Sequence, residues 1–194
     1  MEFLPMVFAS GWASGVNAYA VVVLLGLLGR FAGVDGVPAA LERTDVLVIA
    51  AVLYVAEFVA DKIPYVDTAW DAVHTAVRPT VGAFIGLLVS GDASSPEQAI
   101  AATTGGTTAL VSHAVKASLR MAVNTSPEPA SNIGVSLVED FSVAGVVTLA
   151  VFHPWVAASI AGVLLLLGIA LAVFLLRRIR RFRAARRERR AAAT

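Results

Sequence analysis

Residues 46–64, VLVIAAVLYVAEFVADKIP, and residues 133–152, IGVSLVEDFSVAGVVTLAVF, decide the fold. About 20 apolar residues in a helix cross a bilayer, and both stretches have that length. Yet the first carries Glu57 and Asp61, and the second carries Glu139 and Asp140. A charged acid at the centre of a membrane helix costs roughly 2.5–3.5 kcal/mol on insertion scales, so it faces a bundle interior, a basic partner or a wet cavity. These acids are therefore the first place to look for function.

Working outward, the 194-residue chain is 58% hydrophobic and 15% charged, with a mean hydropathy of +0.78. An ordinary soluble domain is about 45–50% apolar. Six apolar stretches, about 5–30, 45–63, 67–90, 98–122, 132–152 and 155–177, predict an all-α integral membrane protein with about six transmembrane helices. The third stretch is amphipathic from Val66 to Arg78 and cleanly apolar only from Pro79, which reads as one helix kinked near that proline. The division is a polytopic membrane domain over 1–176 and an Arg-rich tail over 177–194.

Nine of the fifteen basic residues lie between Arg177 and Arg190. A basic block directly after an apolar span marks the cytoplasmic side and attracts anionic lipid, a stronger reading than a nucleic-acid arm. Six spans then place the N-terminus in the cytoplasm too. Lys62, Arg78 and Arg120 flank connections on that side, the connection SGDASSPEQ has no Lys or Arg, and Arg30 and Arg43 oppose the rule. The first fifteen residues lack the basic start of a secretory signal, so they are expected to stay as part of the first span. The chain contains no Cys, which excludes disulfides and thiolate metal sites.

GWASGVNAYAVVVLLGLLGR, residues 11–30, aligns with GGTTALVSHAVKASLRMAVN, residues 105–124. Together with an acid before Phe and a Trp in each half, this predicts an inverted 3+3 repeat with Gly-interrupted first and fourth segments. Asn17 lies in the first interruption. Chance similarity in apolar sequence and close packing through small residues are the competing accounts.

Glu57 and Asp61, at i and i+4, share a helix face, whereas Glu139 and Asp140 lie about 100° apart and point different ways. His113, Lys116, Arg120 and Asn124 form a polar stripe at helical period, at a depth where Glu57 meets Lys116. His113 lies near mid-membrane and is expected to titrate near neutral pH. Asp71, His74 and Arg78 occupy the amphipathic start of the third segment. The expected ion or substrate pathway is Asn17, Glu57, Asp61, His113, Lys116, Arg120, Glu139 and Asp140. With no HExxH, Walker-type loop, zinc spacing or GxSxG elbow, neither enzymatic activity nor a cofactor is expected, and a metal is left open.

GWASGVNAYAVVVLLGLLGR, EFVADKIPYVDTAWDAVHTAVRP and the later VEDF together resemble a bacterial family of small multi-pass membrane proteins, domain of unknown function 4126. The resemblance runs from about Phe8 to Phe152 and implies a membrane fold in a bacterial plasma (inner) membrane, without naming an activity. A looser similarity links EFVADK to the Glu-x-Gly-Asp-Lys signature of a cation-exchanger family, though the Gly is absent and the spacing is one residue longer.

The residues point to a small transporter or channel for an ion or small polar solute, with proton coupling as one form. The alternatives are translocation of a phosphate-bearing lipid and a non-transporting scaffold held by buried ion pairs. A transporter should expose its acids to a wet cavity, and a scaffold should keep them dry and fully paired. The expected partners are the lipid bilayer, anionic lipid at the tail, the transported solute and a second copy in a homo-oligomer.

Overall fold

The computed structural model describes residues 1–34, 36–124 and 129–191, with helices at every predicted stretch and no strand among them. They are α1 (Leu4–Ala32), α2 (Thr44–Ala60), α3 (Val66–Ser90), α4 (Ser95–Val123), α5 (Pro129–Phe152) and α6 (Pro154–Ala191). A short 3-10 turn, Ala39–Glu42, precedes α2. The tail is therefore the continuation of α6, apart from residues 192–194, which lie outside the described residues.

Local chemistry sets the boundaries. Proline opens α5 and α6 and stands in the first turn of α1 and α4, where its missing N–H would have no partner anyway. Gly33, left-handed at φ 58°, ends α1. Ser94 and Glu97 form a reciprocal capping box on α4. α3 runs through Pro79 as one helix.

The side-chain distribution is inside-out. Val48, Ile49, Val52 and Val55 of α2, and Leu166, Leu167 and Phe174 of α6, lie exposed on the perimeter, while Glu57, Arg78, Lys116 and Arg120 are buried. Such a surface is stable only in an apolar solvent. α1, α3 and stretches 130–152 and 154–181 of α5 and α6 are long and apolar enough to cross a membrane. α2 stops at 17 residues, and α4 is diluted by its polar stripe. The chain is a membrane protein.

α1 is the central helix and packs against all five others. Of its most apolar stretch 67% is buried, against 28% for α3 and α5 and 11% for α6. Close approach explains the glycines: a Cβ on Gly11 or on Gly82 would lie 2.7 Å from the carbonyl oxygen of Gly105. α1, α3 and α4 thus meet backbone to backbone at these glycines.

Two sequence expectations separate here. α1 is broken at Asn17, whose φ of −151° and ψ of 98° are non-helical. α4 runs unbroken through Gly105 and Gly106, because those glycines serve packing rather than unwinding. The paired interruptions that an inverted repeat required are reduced to one.

Candidate functional site

The site grows from the break in α1. Asn17 is extended, and its Oδ1 accepts the Ala20 N–H at 2.9 Å, so it is the N-cap of the second half of the helix. The first half ends just before it, leaving carbonyls without intrahelical donors. Side chains from neighbouring helices reach two of them and a carbonyl of the turn before. Lys116 Nζ donates to the Val16 carbonyl at 2.8 Å, Ser112 Oγ to Trp12 at 2.8 Å, and Arg78 Nη1 lies 3.4 Å from that of Gly15. The negative end of a half-helix dipole favours such cations.

From there a charged network runs toward the end of the bundle where α2 joins α3. Arg78 Nη2 donates to Glu57 at 2.7 Å, and its Nη1 lies 2.9 Å from Asp71. Lys116 Nζ is 2.6 Å from Asp61, 3.6 Å from Glu139 and 3.7 Å from Glu57. Arg120 donates to Glu139 and to the Asp61 carbonyl, and reaches Asn132 Oδ1 at 3.1 Å and Asp67 at 3.7 Å. Asn124 Nδ2 donates to Asp67 at 2.8 Å and to Thr68 at 2.9 Å. Arg78 and Arg120 are fully buried.

The two histidines are held differently. A guanidinium only donates, so Arg78 at 2.7 Å makes His113 Nδ1 an acceptor. His113 Nε2–H then donates to Thr75 Oγ1 at 3.1 Å, whose own proton goes to the Asp71 carbonyl. This relay fixes a neutral imidazole and corrects the expectation that His113 titrates near neutral pH. His74 stacks on Trp70, donates Nδ1–H to its carbonyl at 2.8 Å, and turns Nε2 to the Tyr19 hydroxyl at 3.0 Å.

Seven of the eight expected residues come together around this axis: Asn17, Glu57, Asp61, His113, Lys116, Arg120 and Glu139. Asp140 sits at its edge with Lys62, 3.3 Å away, while Lys62 also donates to Ser136 at 3.0 Å and lies over the Phe58 ring. Glu57 takes Arg78 as its close partner in place of the expected Lys116. Sequence reasoning left Asp67, Asp71 and Arg78 out of the site. The signal was present, because Asp67, Asp71, His74 and Arg78 fall at i, i+4, i+7 and i+11, a helical stripe facing that of α4.

The network is buried but incompletely paired. Glu57 Oε2 and Asp61 Oδ1 are buried without a hydrogen-bond partner. It touches the outside at Glu139, whose side chain is 15% exposed. There a crevice of about 130 Å³ runs between α1, α4, α5 and α6, walled by Trp12, Val115, Leu164 and Leu165, with Lys116 and Glu139 among its lining. Among the described residues, no group of three His, Asp or Glu is placed to hold a metal ion.

No curated protein and no solved structure matches this chain. A family model does, over residues 4–174, a stretch holding the broken α1 and every member of the charged network. The chain therefore belongs to the family described as Domain of unknown function (DUF4126).

Proposed function

We propose that this protein moves protons or a small monovalent cation across the membrane through the buried network, with the Arg-rich end of α6 in the cytoplasm and the start of α1 on the opposite side rather than in the cytoplasm. That placement is supported by Gly11 lying beside Gly105 and Val16 beside Lys116, so that the first half of α1 runs parallel to α4. The observation that carries this reading is a surplus of acid. Glu57, Asp61, Asp67, Asp71 and Glu139 face only Arg78, Lys116 and Arg120. His113 is neutral, and a protonated His74 would still leave one negative charge unmatched. Outside the Arg177–Arg190 block the chain has three other basic side chains: Lys62, held by Asp140, and the exposed Arg30 and Arg43.

An unmatched charge in such surroundings costs several kcal/mol. The closed network therefore carries at least one exchangeable proton or bound cation. Arg78 and Lys116 anchor it to the break in α1, near the middle of the bundle, and the Asp67–Asn124 end reaches the connections between helices. The same reading puts the Arg-rich end of α6 against anionic lipid on the cytoplasmic face of a bacterial inner membrane, and it includes no enzymatic step.

A static scaffold is the second reading, favoured by the density of ion pairs and the burial of the acids. Purified protein in liposomes separates the two. With a potassium diffusion potential, an internal pH dye and a sodium-sensitive dye, vesicles should take up protons or sodium faster than empty ones, and Glu57→Gln should slow that uptake while the protein stays folded. Uptake equal to empty liposomes for every cation tested would leave the scaffold.

A further inference from the structure

The charged network accounts for only half of the bundle. Beyond Asn17, toward the start of α1, the interior closes on the glycine contacts of Gly11, Gly82 and Gly105, with backbones too close to admit a hydrated ion. Two hydroxyls nevertheless continue along α1 from the break. Ser14 and Ser10 are both fully buried, and both Oγ atoms lack a hydrogen-bond partner, as does Asn17 Nδ2. Buried hydroxyls are ordinarily satisfied, most simply in a helix by the carbonyl four residues back. Here neither serine takes that partner.

Asn17, Ser14 and Ser10 follow at spacings of three and four residues, so they line one face of the helix with axial steps of about 4.5 and 6 Å. Those steps are too long for direct hydrogen bonds and suit one water between each pair, a water that needs two or more polar partners to stay. A hydroxyl both donates and accepts, so it passes a proton by exchanging bonds. It offers too few ligands to replace the shell of a metal ion, which takes about six oxygens.

We infer that Ser14 and Ser10, bridged by single waters, form the second half of the pathway and make the transported species the proton. This rests on the proposed transport reading and narrows it. Protons leave the surplus carboxyls at the α1 break, pass Ser14 and Ser10, and reach the far side where the glycine contacts exclude larger ions. No bond other than O–H is made or broken, and the proton lost by one group is gained by the next.

The test uses the full chain in liposomes with an internal pH dye, a sodium dye and a potassium diffusion potential, comparing wild type with Ser14→Ala, Ser10→Ala and Glu57→Gln. Each alanine removes one oxygen and fills the same space, so thermal melts should match wild type. Breaking one link of a hydrogen-bonded relay is expected to slow proton uptake by about tenfold or more, with no sodium uptake in any sample. Wild-type rates in either serine variant, beside a slowed Glu57→Gln, would overturn the hydroxyl path and leave the transport reading standing. Sodium uptake by wild type without proton uptake would overturn it likewise. No uptake of either ion would overturn both.

Discussion

Arg78 is the residue whose removal should cost most, because one guanidinium holds four groups together. It donates to Glu57 at 2.7 Å, faces Asp71 at 2.9 Å, fixes the His113 tautomer through Nδ1 at 2.7 Å and reaches the Gly15 carbonyl at 3.4 Å. Arg78→Met keeps much of the volume but leaves two acids without their counter-charge and an imidazole nitrogen without its donor. Removing one partner of a buried pair costs about 3–5 kcal/mol. For a chain of this size, each kcal/mol moves the melting temperature by about 2–4 °C, so Arg78→Met should melt about 10 °C or more below wild type. Glu57→Gln is the informative contrast. It keeps an oxygen for Arg78, and Asp71 still faces the guanidinium, so it loses only the charge assistance of one hydrogen bond, about 1 kcal/mol. The double variant should recover part of the Arg78→Met loss, since it no longer buries an unpaired Glu57. Melts of detergent-purified wild type, both single variants and the double variant measure this coupling. An Arg78→Met protein melting within about 2 °C of wild type would refute the assignment of Arg78 as the organising charge.

Gly105→Ala should destabilise by about 1–3 kcal/mol through overpacking, since its new methyl group would meet the Gly82 carbonyl; a melt unchanged from wild type would remove the backbone seam. Asn17→Ala should lose the N-cap of the second half of α1, about 1 kcal/mol, and shift the carbonyls that Lys116 and Arg78 contact, read as a lower melt together with slower proton uptake. In this Cys-free chain, Ala93→Cys should label only from outside the cell; labelling only from the cytoplasm would invert the topology. Hydrogen bonds from Ser94 hold the Glu97 carboxyl below its usual range, so the capping box should persist through the ordinary glutamate pKa and open only as pH falls through the lowered one, followed by amide exchange at the start of α4.

The helices were legible because apolar length and proline placement act locally, and each predicted stretch holds one helix. The α1 break was legible for a similar reason: Asn beside Gly and Ser offers the backbone a cap in place of a helical bond. The matching stretch of α4 misled because glycine has two uses that look alike in sequence. Only the position of Gly82 on a distant helix reveals that Gly105 is needed for contact. Pairing was the least legible feature. Periodicity places Lys116 on a face and at a depth, but Glu57 finds Arg78 because α3 packs most extensively against α4 and brings its own stripe inward. The span 66–78 looked amphipathic because six of its residues are polar, and the same polarity is what buries it against the charges of α4.

The break and the seam act as one device. A continuous α1 would satisfy its own carbonyls and give Lys116 and Arg78 nothing at mid-bundle to donate to, so both cations would fall back toward the acids. Breaking the helix at Asn17 instead draws positive charge inward and stretches the network to the centre of the bundle. Just beyond, Gly11, Gly82 and Gly105 bring three backbones together, so that what is polar on one side of Asn17 is nearly solid on the other. A scaffold needs the charges paired and gains nothing from hydroxyls left open past the seal. Ser14 and Ser10 lie where only something as small as a proton could use them, which is why their replacement, rather than that of any charged residue, distinguishes a pathway from a brace.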